Sequence, residues 1–226
     1  MWRTLDRNVI RGIAVIWLSV AVIGVSYGAV AVTSGFPLWV PVATAVLVLA
    51  GSSEFLFVGI IAAGGSPVAA VLAGLLVNAR HITYGLAVSD VVGSGWRRLA
   101  GTHLMNDESV VLALAQGDPA RRRAAYWLSG AGLLVCWPAG ALAGALAGGA
   151  LRNPDALGLD AMFPAAILAL ILPALRGKTP ADRGVRHAAI AGAAIALAAA
   201  PFLPPGLPEL LALGGLALTA RRRVAA

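Results

Sequence analysis

The sequence predicts an all-α integral membrane protein, a polytopic bundle of about eight transmembrane segments with both termini cytoplasmic. Three observations lead there. Apolar residues make up 59% of the 226 and charged residues only 12%, with a mean hydropathy of +0.85. Soluble domains run nearer half apolar and a quarter charged, so this chain cannot cover a water-facing surface. Apolar runs recur along the whole length, and a hydrocarbon core about 30 Å thick asks for such runs. Finally, 13 of the 17 Lys and Arg fall in four short clusters between them: Arg3/Arg7/Arg11, Arg121–Arg123, Arg176/Lys178/Arg183/Arg186 and Arg221–Arg223. That is what a positive-inside bias produces.

The same numbers exclude other classes. So much apolar surface excludes intrinsic disorder. A pI near 11 and a charge of +7 would fit nucleic acid only with a basic, aromatic-interleaved face on a soluble domain, and none is present. Anionic lipid of the inner leaflet is the expected neighbour of this charge. A single cysteine, Cys136, rules out a disulfide framework or a Cys-based zinc site.

Taken in order, the predicted spans are 12–33, 38–63, 67–92, 99–117, 124–149, 160–175, 188–203 and 207–220, together one transport domain over 1–226. The first follows Arg3, Arg7 and Arg11 and ends in Ala29-Val30-Ala31, which resembles a cleavable signal. The run is too long for a signal core and long enough to span, so a retained helix is expected. The second and third bring the chain in at Gly64–Gly65 and out again. The fourth, 99–117, is the least apolar and could instead lie at the interface; as a crossing it returns the chain at Arg121–Arg123. The fifth carries Gly140, Gly144 and Gly148, a groove that lets another helix approach closely, inside the subunit or on a partner. The last three return the chain at the remaining basic clusters. Outer loops 34–37, 93–98, 150–159 and 204–206 then carry only Arg97, Arg98 and Arg152. This pattern fixes parity rather than count, since a re-entrant pair among the first four segments satisfies it equally. The sequence shows no internal repeat, although four plus four would suit inverted pseudo-symmetry.

Function is sought among ionisable groups at membrane depth, which cost about 2.5–3.5 kcal/mol on insertion scales and therefore face the interior and pair. In 38–63, Gly51-Ser52-Ser53-Glu54-Phe55 lies mid-span. It is read either as a helix break lining a cavity or as a continuous helix with back-bonded serines. In 67–92, Asn78 and His81 share a face and Arg80 and Tyr84 a neighbouring one. Arg80 offers a planar fork that matches a carboxylate, and the imidazole of His81 is a residue type suited to accept a proton. Structural pairing of Arg80 with Glu54, Asp90 or Asp107 is the plainer alternative. In 99–117, His103 and Asp107 share a face while Glu108 turns away by about 100°. These acids are counter-charges for Arg80 and candidates for proton exchange.

Enzyme signatures are missing. There is no Gly-x-x-x-x-Gly-Lys-Ser/Thr loop or His-Glu-x-x-His pair, and Ser52 and Ser53 sit in no Gly-x-Ser-x-Gly elbow. No metal or cofactor is expected.

At these residues the chain resembles the AzlC-type branched-chain amino acid permeases. The resemblance is carried by Ala50-Gly51-Ser52-Ser53-Glu54-Phe55, Leu76-Val77-Asn78-Ala79-Arg80-His81 with Tyr84-Gly85-Leu86, and Thr102-His103 with Asn106-Asp107-Glu108. Gly158-Leu159-Asp160 and Phe163-Pro164-Ala165 extend it. Glu54 departs from the family's usual Gln. The resemblance implies a secondary transporter in the bacterial cytoplasmic membrane, exporting branched-chain amino acids and relatives such as methionine. It also implies a small hydrophobic AzlD-type partner subunit. The expected substrate site is Gly51, Ser52, Ser53, Glu54, Phe55, Asn78, Arg80 and Tyr84, with Glu54 or Asp107 meeting the ammonium. His81, His103, Asp107 and Glu108 are the expected proton-coupling groups. Uptake, uncoupled facilitation and a structural subunit without transport are the competing readings.

Overall fold

The computed structural model describes residues 4–150, 168, 172, 175–177, 180–203 and 207–217. Among these, every regular element is a helix: α1 (Arg7–Thr33), α2 (Trp39–Leu47), α3 (Gly51–Ala62), α4 (Pro67–Asn78), α5 (Arg80–Ala87), α6 (Trp96–His103), α7 (Asp107–Leu114), α8 (Pro119–Ala150), α9 (Pro180–Ala199) and α10 (Leu207–Leu211). Three stretches are long and apolar enough to cross a membrane: Arg7–Thr33, Pro67–Ala87 and Pro119–Gly149. The second joins α4 to α5. The predicted span 160–175, the motif residues 158–160 and 163–165, and Arg221–Arg223 lie largely or wholly outside the described residues.

Helices α1 and α8 form the frame, and they run parallel. Gly140, Gly144 and Gly148 rest in turn against the backbone of Ala21, Val25 and Ala29. From the other side, Gly24 and Gly28 meet the backbone of α8; a Cβ on Gly24 would stand 2.9 Å from the Trp137 carbonyl. Small residues at this spacing let the two backbones touch. The glycine groove is therefore an internal seam. Both N-termini lie at one end of the bundle, where Arg121 Nη2 pairs with Asp6 at 2.6 Å.

Two hairpins enter this frame from opposite ends. Helix α2 descends from the far end, its Thr44 hydroxyl 2.6 Å from Tyr27 Oη on α1. After the turn at Val48–Ala50 the chain goes back up along α3. Phe57 on α3 packs against Phe36, which precedes α2, with ring centroids 6.0 Å apart. Helix α4 then runs down beside α3, bringing Ala70 and Ala73 to Ile60 and Gly74 to Ser53. Helix α5 continues to the basic end, where Arg122 Nη2 donates to the Ala87 carbonyl (3.2 Å) and pairs with Asp90 (3.4 Å).

The second hairpin mirrors the first. Helix α6 rises from the basic end, tied to α8 by the Tyr126 hydroxyl on the Gly101 carbonyl (2.7 Å), and Leu104 reaches Gly130. Helix α7 returns, with Val110 and Ala113 packed beside Tyr126 and Leu112 beside Ile13. Up, down, up, down over α1–α4 thus becomes down, up, down, up over α5–α8, an inverted arrangement.

Residues 38–63 and 99–117 each form a hairpin that returns to the end of the bundle it starts from, where the eight-crossing expectation has one continuous span. A continuous helix over either stretch would span. Leu49 instead takes a left-handed φ of 51°, and Asn106 restarts the helix with a capping box to Ser109. The halves have 9, 12, 8 and 8 residues; at 1.5 Å per residue the longest covers about 18 Å, short of a core of about 30 Å. A second correction follows for Arg97 and Arg98. They open α6 at the basic end, with the Arg97 side chain beside Gly93, rather than in an outer loop.

Beyond α8, α9 packs against residues 212–215: Gly192 meets Ala212, and Gly215 meets Ala188. Leu210 of α10 joins the Ile60 cluster.

Candidate functional site

Three interruptions of helix fall at one level of the bundle: the α2–α3 turn, the α4–α5 junction at Ala79, and the α6–α7 turn. They enclose a cavity of about 90 Å³. Gly51 and Ser52 bring the N-terminus of α3 to it, Asn106, Asp107 and Glu108 bring the N-terminus of α7, and Arg80 comes from the junction. Val20, Ile23, Leu49, Phe55, Leu133 and Trp137 supply an apolar wall. Arg80 is held by charge: its Nη2 lies 2.9 Å from Asp107 Oδ2, and the Tyr84 hydroxyl donates to Asp107 Oδ1.

The two half-helices differ in how their first turns are satisfied. At α7 the Asn106 side chain accepts from Ser109 N (2.8 Å), and Ser109 Oγ accepts from Asn106 N (3.0 Å). At α3 the cap residue is Ala50, which has no capping side chain. Glu54 reaches back instead, and its Oε1 accepts from Ala50 N at 2.9 Å. Gly51 N and Ser52 N are then without an acceptor among the described residues, a normal consequence of a helix start. Ser52 Oγ and Arg80 Nε are buried and likewise unpartnered. The residues that carry these four donors, Gly51, Ser52 and Arg80, line one cavity that also receives the positive ends of two helix dipoles. Such an end attracts an anion.

The sequence-predicted residues divide around this cavity. Gly51, Ser52, Phe55, Arg80, Asp107 and Glu108 line it. Tyr84 reaches it through Asp107. Ser53, Glu54 and Asn78 line a second cleft of about 210 Å³ between the first hairpin and α4. Glu54 is 2% exposed, and the Trp137 indole Nε1 donates to both its oxygens (3.1 and 3.2 Å). The Tyr27 hydroxyl lies beside it as well. His81 Nδ1 donates to the Asn78 carbonyl (2.9 Å), and His103 Nε2 to the Val46 carbonyl (2.8 Å). Neither histidine lines the cavity; the second ties the two hairpins together. Among the described residues no group of three His, Cys, Asp or Glu is placed to hold a metal.

Sequence reasoning missed Trp137, Tyr27, Leu49 and the Asn106–Ser109 cap. Asn-x-x-Ser ahead of an apolar run is a recognisable helix start; an aromatic or a leucine in an apolar run carries no such mark.

Against known proteins, the family model for the AzlC protein matches residues 15–151. The chain belongs to the AzlC family. A Bacillus subtilis (strain 168) relative, the branched-chain amino acid transport protein AzlC, is 29% identical over 154 residues, covering 66% of this chain and 60% of that protein. An uncharacterized membrane protein of Haemophilus influenzae is 35% identical over 71 residues, 31% of this chain and 29% of that one. The chain thus spans less than two thirds of either relative's length. No solved structure matches it. The matched AzlC region holds both hairpins, Arg80 and α8, so the whole cavity lies within it.

Proposed function

We propose that this AzlC-family chain is a secondary transporter of branched-chain amino acids, exporting them across the bacterial cytoplasmic membrane by proton antiport. The observation that carries the reading is the meeting of two opposed half-helix N-termini and Arg80 at one mid-bundle cavity with an apolar wall. Half-helix ends of this kind hold anionic groups of transported solutes. The name of the Bacillus subtilis relative supports the substrate class.

In this mechanism the substrate carboxylate lies against Gly51 N–H, Ser52 N–H, Ser52 Oγ and Arg80 Nε. The ammonium faces Asp107 or Glu108, and the branched side chain, or that of methionine, rests on Leu49, Phe55 and Leu133. Arg80 is shared between Asp107 and the incoming carboxylate. Asp107 and Glu108 border the cavity and carry the counter-moving proton, with His81 and His103 behind them. One charge moving through 100 mV supplies about 2.3 kcal/mol, a gradient of roughly fifty-fold. The small AzlD-type subunit completes the working complex. Leucine counterflow in proteoliposomes that hold this chain with its AzlD-type subunit, with and without an imposed pH gradient, tests the proposal. Exchange that accelerates with the gradient supports it. Vesicles that exchange no leucine refute transport, and exchange blind to the gradient refutes antiport.

A further inference from the structure

Glu54 is the most deeply buried acid of the hairpin, and the substrate placement above does not use it. Glu54 does not line the cavity that Gly51, Ser52 and Phe55 border; it lines the second cleft, and its carboxylate bonds Ala50 and Trp137 from behind the cavity wall. What it touches is specific. Oε1 accepts from Ala50 N at 2.9 Å, and Trp137 Nε1 donates to Oε1 and Oε2 at 3.1 and 3.2 Å. The Trp137 ring in turn lies 3.0 Å from where a Cβ on Gly51 would stand and stacks on Tyr27, with centroids 5.4 Å apart. The other titratable group against Glu54 among the described residues is Tyr27; α4 contributes only the Asn78 amide to the adjoining cleft.

We infer that Glu54 is a positioning residue: by taking the Ala50 N–H and the Trp137 indole it locks the tip of the first hairpin to α8, so that Gly51 and Ser52 present their N–H groups to the substrate carboxylate. This rests on the substrate placement proposed above. The tip needs such a lock. Leu49 sits in a left-handed conformation that costs a β- or γ-branched residue free energy and persists only where surroundings over-determine it. Ala50 brings no capping side chain of its own. Without Glu54, Ala50 N–H competes with Gly51 and Ser52 for the same anion, and the cradle loses its fixed geometry. The role needs an acceptor at this position, not a charge. Glutamine supplies the same carbonyl oxygen.

The test is leucine counterflow by the full chain, reconstituted in proteoliposomes with its AzlD-type subunit, comparing wild type, Glu54→Gln, Glu54→Ala and Trp137→Phe. Glu54→Gln is expected to keep KM within about twofold and to leave the pH profile unchanged. Glu54→Ala is expected to raise KM about tenfold with maximal rate largely retained, the size of one lost charge-assisted hydrogen bond. Trp137→Phe falls between. Leucine methyl ester, which lacks the carboxylate, competes equally against wild type and Glu54→Ala. A Glu54→Gln protein that loses as much affinity as the alanine variant, or whose pH profile shifts, overturns the inference, because the carboxylate would then be meeting the ammonium or carrying the proton. If Glu54→Ala does not fold, Glu54→Gln alone decides. A wild type that moves no leucine overturns the transport reading and this inference with it.

Discussion

Exchange of Ala63 and of Ser94 for cysteine separates the re-entrant topology from the eight-crossing one. Ala63 caps α3 at the end away from the arginines, and Ser94 lies in the loop that Arg122 and Arg123 hold through Asp90. Between them runs the stretch Pro67–Ala87, 21 residues and so about 31 Å of helix, the thickness of a hydrocarbon core. A crossing by that stretch puts the two positions on opposite faces of the membrane, so that an impermeant thiol reagent applied from one side reaches one of them only. Both side chains are exposed, so substitution costs little, within about 0.5 kcal/mol for surface sites. Cys136, half-buried in α8, is first replaced by Ala. In intact cells the Ala63→Cys protein is expected to label with the impermeant maleimide and the Ser94→Cys protein only after lysis. With eight crossings the pattern reverses, since residues 64–65 would be cytoplasmic and 93–98 external. Labelling of Ser94→Cys alone in intact cells would refute the hairpin topology with its basic end in the cytoplasm.

Other consequences follow from the same coordinates. Gly144→Ala places a Cβ on the Val25 carbonyl, a backbone atom that cannot step aside. The α1–α8 seam must open at a cost of about 1–3 kcal/mol, read as a lower melting temperature in detergent. Asp107→Asn weakens the pair with Arg80, but Asp107 is 46% exposed, so stability changes by no more than about 1 kcal/mol. Its expected effect is on the response to a pH gradient, measured by counterflow. Arg80→Ala removes the only side-chain cation among the cavity-lining residues and is expected to raise KM for leucine by ten-fold or more, on the scale of a charge-assisted hydrogen bond. The 2-oxo acid of leucine, which keeps the carboxylate and lacks the ammonium, is expected to compete weakly, because Asp107 and Glu108 are left facing an uncompensated anion.

Much of the site could be read from the sequence because polar residues stand out in apolar runs. Gly51, Ser52, Arg80, Asp107 and Glu108 were found in that way, and they converge. Trp137 and Leu49 were not found, because an apolar side chain in an apolar run carries no sign of its neighbours. Direction was illegible for a different reason. The hydropathy and length of 38–63 are those of a crossing, and only the left-handed Leu49 and the restart at Asn106 turn each chain back. Yet Arg97 and Arg98 were two of the three exceptions to the charge pattern under eight crossings. With two re-entrant hairpins they join Arg7, Arg11 and Arg121–Arg123 at one end, which leaves Arg152, outside the described residues. Charge bias thus agrees with the hairpins at Arg97 and Arg98, because it distinguishes a crossing from a hairpin wherever an arginine pair sits between them.

The cavity's fixed charges account for the kind of solute that fits. Each half-helix start contributes roughly half a positive charge, and Arg80 a whole one. Glu54 is turned away behind the α3 start, so the carboxylates at the cavity itself are Asp107 and Glu108. Positive and negative contributions there nearly balance: Arg80 Nη2 pairs with Asp107 at 2.9 Å, while Gly51 N, Ser52 N, Ser52 Oγ and Arg80 Nε keep no acceptor among the described residues. A site balanced in sum favours a dipole over an ion of either sign, since a net charge at this depth would go uncompensated. The amino acid zwitterion of the proposed mechanism is such a dipole, and there the apolar wall of Leu49, Phe55 and Leu133 receives its side chain. The opposed hairpins are what make this possible, because only helices that start at the centre from both ends can bring two positive termini to one level without carrying a lysine or a second arginine into the bilayer.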